Sequence, residues 1–173
     1  MNKKSTPRKP LIVLAFSGGL DTSFCALWLQ KELGAEVVTA TVQTGGFGAK
    51  EVSDIRARAL SLGAKAHHLL EGRGRVYERF VSTLIRGNVL RGRVYPLSVA
   101  AERVVQAEMT ASLARELGAQ GLCHGSTGAG NDQFRFDGAF RALAPELSVH
   151  TPVRDLGLSR EQETEYLSSR GHS

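Results

Sequence analysis

The segment that most constrains this chain is Ala15-Phe16-Ser17-Gly18-Gly19-Leu20-Asp21-Thr22-Ser23, a turn of small and hydroxylated residues between two apolar elements. Leu11-Ile12-Val13-Leu14 before it is a continuous apolar run, the pattern of a parallel strand buried on both faces. After it, Phe24, Leu27, Trp28 and Leu29 recur at helical spacing and predict a helix over residues 24–33. A strand that turns at once into a helix presents the helix's first unpartnered N–H groups, and the positive end of its dipole, at the strand's carboxyl end. Gly18 and Gly19 let the backbone close on a ligand, and Ser17, Thr22 and Ser23 add hydroxyls. Together they form an anion cradle suited to a nucleotide phosphate chain. A plainer reading is that Asp21 or Thr22 caps a helix after a tight glycine turn. No Lys follows the glycines at Walker spacing and G-x-G-x-x-G is not matched, so those two phosphate loops are excluded.

The next segments repeat the alternation. A strand is predicted over 37–42, a helix over 50–62 stopped by Gly63, and a short strand over 65–70. Strand, helix, strand, helix, strand predicts an α/β fold: a three-layer, mostly parallel twisted sheet flanked by helices and Rossmann-like in winding. Ligands of such sheets sit beyond the carboxyl ends of the strands. Val42 and the loop Gln43-Thr44-Gly45-Gly46-Phe47-Gly48 fall there, either bounding a nucleotide base or as an ordinary strand-to-helix turn.

Residues 72–85 read as an amphipathic helix and 87–96 as a connecting loop. A long helix follows over 98–117, with Val99, Val104, Val105, Met109, Leu113 and Leu117 as its apolar face. A strand over 120–124 then leads into Gly125-Ser126-Thr127-Gly128-Ala129-Gly130-Asn131-Asp132-Gln133, a second small, polar, glycine-bearing stretch. Two such loops after two strands converge on one sheet edge, which points to a binding site there. Arg135, Phe136 and Phe140 predict a short helix, residues 147–149 a strand, and Thr151-Pro152 a break. Ser159 with Gln162 predicts a capping box for a last helix reaching 169.

Composition excludes several classes. At 173 residues, with 42% hydrophobic and 23% charged residues, the chain can bury a single domain's core. No apolar run approaches the roughly 20 residues of a membrane span, which predicts no membrane partner. The net charge of +5 is concentrated in Lys3, Lys4, Arg8 and Lys9; without them 18 basic residues stand against 17 acidic. The basic pI is therefore a property of residues 1–10, read as a disordered tail ahead of a domain over 11–173. It argues weakly for nucleic acid, although Arg73, Arg75, Arg79, Arg86, Arg91 and Arg93 with Tyr77 and Tyr95 form a second basic strip. Cys25 and Cys123 read as small core residues of a protein in a reducing cytoplasm, and neither a C-x-x-C pair nor a His cluster marks a metal site.

The loop Ser17-Gly18-Gly19-Leu20-Asp21-Thr22-Ser23 resembles the pyrophosphate loop of the ATP pyrophosphatase superfamily. Several further segments are similar to argininosuccinate synthases. They are Tyr95-Pro96-Leu97, His124 to Gln133 with Arg135-Phe136, Arg141-Ala142-Leu143-Ala144-Pro145 and Leu158-Ser159-Arg160-Glu161. The resemblance runs from about Leu11 to Gly171 and implies an adenine nucleotide alpha hydrolase-like fold. It implies a ligase that joins citrulline and aspartate through citrullyl-AMP, using ATP and Mg²⁺ and releasing AMP and pyrophosphate. By that likeness Ala15, Phe16, Ser17, Gly18, Gly19, Leu20, Asp21, Thr22, Ser23, Val42 and Gly125 contact ATP. Tyr95, Asn131 and Arg135 hold citrulline, Thr127, Asn131 and Asp132 hold aspartate, and Asp132 accepts a hydrogen bond from the aspartate amine. The likeness also implies a cytoplasmic homotetramer whose C-terminal synthetase domain is absent from this chain.

Two departures stand out: Ser98-Val99-Ala100-Ala101-Glu102-Arg103, where the family has Gly-Thr-x-Leu-Ala-Arg, and Gln43-Thr44-Gly45-Gly46 after the second strand. Two other readings share features with this one. A tRNA-thiolating adenylylase has the same loop but needs reactive cysteines. A non-catalytic ATP-binding module has no use for Asn131-Asp132-Gln133 with Arg135.

Overall fold

A computed structural model describes residues 9–91, 95–96 and 98–172. In chain order its first elements are β1 (Leu11–Ala15), α1 (Leu20–Glu32), β2 (Glu36–Gln43), α2 (Ala49–Ser61), β3 (Ala66–Glu71), α3 (Arg73–Val76), a π-helical turn (Tyr77–Val81) and α4 (Ser82–Arg86). There follow β4 (Leu90–Arg91), β5 (Tyr95–Pro96), α5 (Ser98–Glu116), β6 (Gly121–Cys123), α6 (Asp132–Leu143), β7 (Ser148–His150), α7 (Pro152–Leu156) and α8 (Arg160–Ser168).

Five strands form one parallel sheet in the order β3-β2-β1-β6-β7. The chain winds outward from β1 through β2 to β3, then returns to the other side of β1 for β6 and β7. The switch in winding direction lies between β1 and β6, where open α/β sheets leave a crevice. β1 is central because its side chains serve both layers. Ile12 and Leu14 pack with Phe24, Leu29, Ile55, Leu62 and Leu167 from α1, α2 and α8 and the turn after α2. Val13, with Val38, Ala40 and Leu122, faces Ala107, Ala111, Phe136 and Phe140 from α5 and α6. This is the predicted three-layer fold, all parallel within its main sheet.

The differences from the sequence expectation have local causes. α1 begins at Leu20, not at 24, because its first turn is the small polar stretch Asp21-Thr22-Ser23, which carries no apolar period. Neither Asp21 nor Thr22 caps it: Gly19 is the N-cap, in extended conformation, with no side-chain cap bond. Thr22 instead donates from Oγ1 to the Gly19 carbonyl at 3.2 Å. The helix predicted over 72–85 is present as a continuous helical stretch from Arg73 to Arg86, with its middle turn, Tyr77–Val81, widened to π-helical. The predicted loop over 87–96 contains an antiparallel ribbon pairing Leu90 with Pro96 and Arg91 with Tyr95. Thr151-Pro152 does not simply break the chain; Pro152 starts α7, where its missing N–H costs nothing.

α5 packs on the sheet through Ala107, Ala111, Leu113 and Ala114, with the expected Val105 also buried, while the expected Leu117 is exposed and the side chain of Val99 lies outside the described residues. Small side chains let this helix lie close over β1 and β2. The capping box is formed: the Gln162 N–H donates to Ser159 Oγ at 3.3 Å and the Ser159 N–H to Gln162 Oε1 at 2.8 Å. Of the predicted basic tail, all but Lys9 and Pro10 lies outside the described residues.

Leu122 is fully buried beside Val13 and Phe140. Leu122→Ala is expected to lower unfolding free energy by about 2–5 kcal/mol. Urea denaturation should show this as a lower midpoint at unchanged slope.

Candidate functional site

The carboxyl ends of β1, β2 and β6 open into a cleft of about 520 Å³ lined by the first loop, by Ala40–Val42 of β2 and by the second loop. Gly18 has φ +79°, a conformation in which a side chain is strained, and a Cβ there would sit 3.1 Å from Ile55 Cγ1. The glycine thus lets the turn fold back against α2. Gly125 performs a different task. A Cβ on it would lie 3.1 Å from the Asp21 carbonyl carbon and 3.2 Å from Thr22 Cγ2, so the absence of a side chain lets the second loop touch the first turn of α1. The two loops are one contiguous surface.

Within the first loop, Ser17 Oγ lies 3.3 Å from Thr22 Oγ1 and accepts from the Gly19 N–H at 3.4 Å. The uncapped start of α1 supplies the positive end of a helix dipole to this edge of the cleft. Gln43 orders the loop after β2. Its Oε1 accepts from the N–H groups of Gly45 (3.0 Å) and Phe47 (3.3 Å), and its Nε2 donates to the Phe47 carbonyl at 2.7 Å.

The second loop is held by a buried histidine. The Ser126 N–H donates to His124 Nδ1 at 3.2 Å, so the ring proton resides on Nε2, which donates to Asp137 Oδ1 at 2.8 Å. Arg154 donates to Asp137 Oδ2 at 2.8 Å. Burial lowers the His124 pKa and outweighs the opposing hydrogen bond and charge of Asp137, so the ring is neutral at pH 7. Burial by itself would raise the Asp137 pKa, but its bonds to His124 and Arg154 dominate and hold it below the ordinary carboxylate value. Gln133 completes the loop by donating to the carbonyls of Gly128 (2.7 Å) and Gly130 (3.2 Å).

Asp132, at the start of α6, is clamped between two arginines. Arg103 Nε from α5 donates to Oδ2 at 3.0 Å, and Arg135 Nη1 donates to Oδ1 at 2.7 Å. Partial burial pushes the Asp132 pKa up, yet the two arginines more than offset this and lower it, so the group is ionised.

Of the residues singled out in the sequence, Ala15, Phe16, Ser17, Gly19, Leu20, Asp21, Thr22, Val42, Gly125, Thr127 and Asp132 line the cleft. Gly18 faces α2, and Ser23 is buried, accepting a hydrogen bond from Arg58 Nε at 3.1 Å. Asn131 is exposed beside the cleft and Arg135 is engaged with Asp132. The side chain of Tyr95 lies outside the described residues. Sequence reasoning missed the part played by Arg103, Gln106 and Thr110, all cleft-lining. Their i, i+3, i+7 spacing is a polar stripe along one side of α5 and was a readable signal. The pairing of His124 with Asp137 and Arg154 is tertiary and left no such trace.

Fold and cleft together define a doubly wound α/β domain whose ligand crevice lies at the switch in strand order. Residues 11–172 match a family model described as the arginosuccinate synthase N-terminal HUP domain. Over 155 residues the chain is 42% identical to an argininosuccinate synthase of Oenococcus oeni, covering 90% of this chain and 38% of that protein. It is 41% identical over 160 residues to one from Pyrobaculum aerophilum (92% and 40%) and 38% identical over 163 residues to one from Oceanobacillus iheyensis (94% and 39%). The chain belongs to the argininosuccinate synthase family and spans about two fifths of the length of these relatives.

Asp137→Ala would leave the His124 Nε2–H without its acceptor and remove one of the several acceptors of Arg154, with an expected loss of about 2 kcal/mol near neutral pH. Because the folded-state pKa of Asp137 is depressed, its contribution is present above the ordinary Asp value and is lost as pH falls through the depressed one. Denaturation curves of wild type and variant should therefore converge only in acid.

Proposed function

We propose that this chain is the nucleotide-binding part of an argininosuccinate synthase that binds ATP in the cleft and adenylylates citrulline for attack by aspartate. The observation that carries the reading is the contact of the two glycine loops at the switch between β1 and β6, beside an ionised carboxylate held by two arginines. The triphosphate lies along Ser17–Thr22, where α1's first N–H groups and two hydroxyls meet its charge, and the adenine lies toward Val42. Magnesium brought in with ATP would be held chiefly by the phosphates and would offset their charge. Among the described residues no group of three or more His, Cys, Asp or Glu side chains could hold a metal ion, and Mg²⁺ is commonly bound through substrate phosphates.

In the first step the ureido oxygen of citrulline attacks the α-phosphorus. An O–P bond forms and the bond to the leaving pyrophosphate breaks. In the second, the aspartate amine attacks the ureido carbon, the C–O bond breaks and AMP leaves. The ionised Asp132 accepts a hydrogen bond from that amine and orients it, while Arg135 and Asn131 meet citrulline and Thr127 meets aspartate. Catalysis is then mainly positioning and electrostatics. The complete protein, on this reading, is a cytoplasmic homotetramer.

The tRNA-thiolating alternative is disfavoured by both cysteines. Cys25 and Cys123 are fully buried, and burial first of all raises the Cys123 thiol pKa well above its usual value, the opposite of an activated thiolate.

With ATP and Mg²⁺ but no aspartate, pyrophosphate release is expected only when citrulline is present. Release without citrulline would contradict the assignment. Gly18→Val is expected to weaken ATP binding at least about tenfold, since a β-branched residue at φ +79° distorts the loop. Asp132→Asn is expected to slow AMP formation on adding aspartate more than it slows pyrophosphate release; equal slowing would remove its assigned role.

A further inference from the structure

Asp132 is held by two arginines whose bonds differ in kind. Arg135 lies one turn along the same helix, so its Nη1 bond to Oδ1 at 2.7 Å sets the carboxyl only against the backbone of α6. Arg103 reaches across from α5, and its Nε bond to Oδ2 at 3.0 Å fixes the carboxyl relative to a second element. α5 in turn packs through Ala107, Ala111 and Ala114 in the apolar layer that contains Val13 of β1, the strand leading into the first loop. Arg103 is itself held at a second point. Its Nη1 donates at 3.1 Å to Oε1 of Gln106, one turn on, and both side chains line the cleft.

The proposed reaction draws on both ends of this cluster at once. Arg135 is assigned to citrulline and Asp132 to the aspartate amine, so Arg135 has to turn donors from Asp132 toward substrate. A partly buried carboxylate that loses its cation is costly. Among the described residues, the other cation bonded to Asp132 is Arg103. We propose that Arg103 is the standing partner of Asp132: a positioning residue that keeps the carboxylate paired and aimed at the amine while Arg135 engages citrulline. Gln106 fixes the guanidinium from which that aim is taken. A lysine would supply the charge but not the planar fork that gives Nε to Asp132 and Nη1 to Gln106. Arg103 acts through the carboxylate that meets the amine, so its removal falls on the second step and spares the attack on phosphorus.

This inference rests on the assignment of the cleft to citrulline and aspartate, and two measurements separate it from that assignment. The first needs no substrate. In NMR spectra of the chain the Arg103 Nε–H should be protected from exchange, should lose protection in Asp132→Ala, and should keep it in Arg135→Gln. An unprotected Arg103 Nε–H in wild type overturns the proposal whatever the chain binds. The second compares the two half-reactions. Arg103→Gln is expected to slow AMP formation at saturating aspartate by at least about tenfold while pyrophosphate release with citrulline stays within about twofold of wild type. Arg103→Lys, a milder change, is expected to fall between the two. A merely structural role would lower the active fraction and slow both steps alike, and equal slowing overturns the proposal. Wild type that releases no pyrophosphate with citrulline, its Arg103 Nε–H still protected, overturns the reaction assigned to this chain and the role in it, while supporting the pairing.

Discussion

The structure depends on the double burial of β1. Its five residues are flanked by parallel strands on both sides and covered by a helix layer on each face, so every side chain from Ile12 to Leu14 is withdrawn from water. Hydrophobic burial of this kind is the dominant favourable term in folding, and it sets where the strand must lie before any ligand is considered. The chain leaving the buried strand has to turn at the sheet edge, beside the strand that resumes the winding in the opposite direction. The crevice there is a consequence of topology.

What the crevice becomes depends on close backbone approach. Gly125 brings the second loop onto Asp21 and Thr22 at distances that leave no room for a methyl group without a shift. Behind it, the neutral His124 accepts from the loop backbone on one nitrogen and donates to Asp137 on the other, so the loop is fastened to α6 and, through Arg154, to α7. Asp132 is fixed in turn by arginines from α5 and α6. Polar groups in this region are paired in chains, which is how partly buried charges are tolerated.

The departures from family pattern have local structural counterparts. Gln43 organises its own loop by three hydrogen bonds, so the altered segment after β2 is ordered between Val42 and Phe47, which line the cleft. In the stretch from Ser98 to Arg103, the final arginine makes a direct contact with Asp132.

Much of this protein was determined by sequence alone. Alternation of apolar runs with helical spacing dictates a wound parallel sheet, since buried strands and amphipathic helices have few ways to cover one another. The two glycine-bearing loops and the capping box at Ser159 are readable because turn chemistry is local. Tertiary structure decided the rest. It started α1 at Leu20, where small polar residues carry no periodic signal, and it widened the middle of the helix expected over 72–85 into a π-helical turn. It also chose partners: Arg103 with Asp132 and His124 with Asp137. These residues lie on separate elements, and only the packing of α5 and α6 around the sheet brings them within hydrogen-bonding reach. Their protonation follows from that placement, because burial and neighbouring charge exist only once the chain has folded.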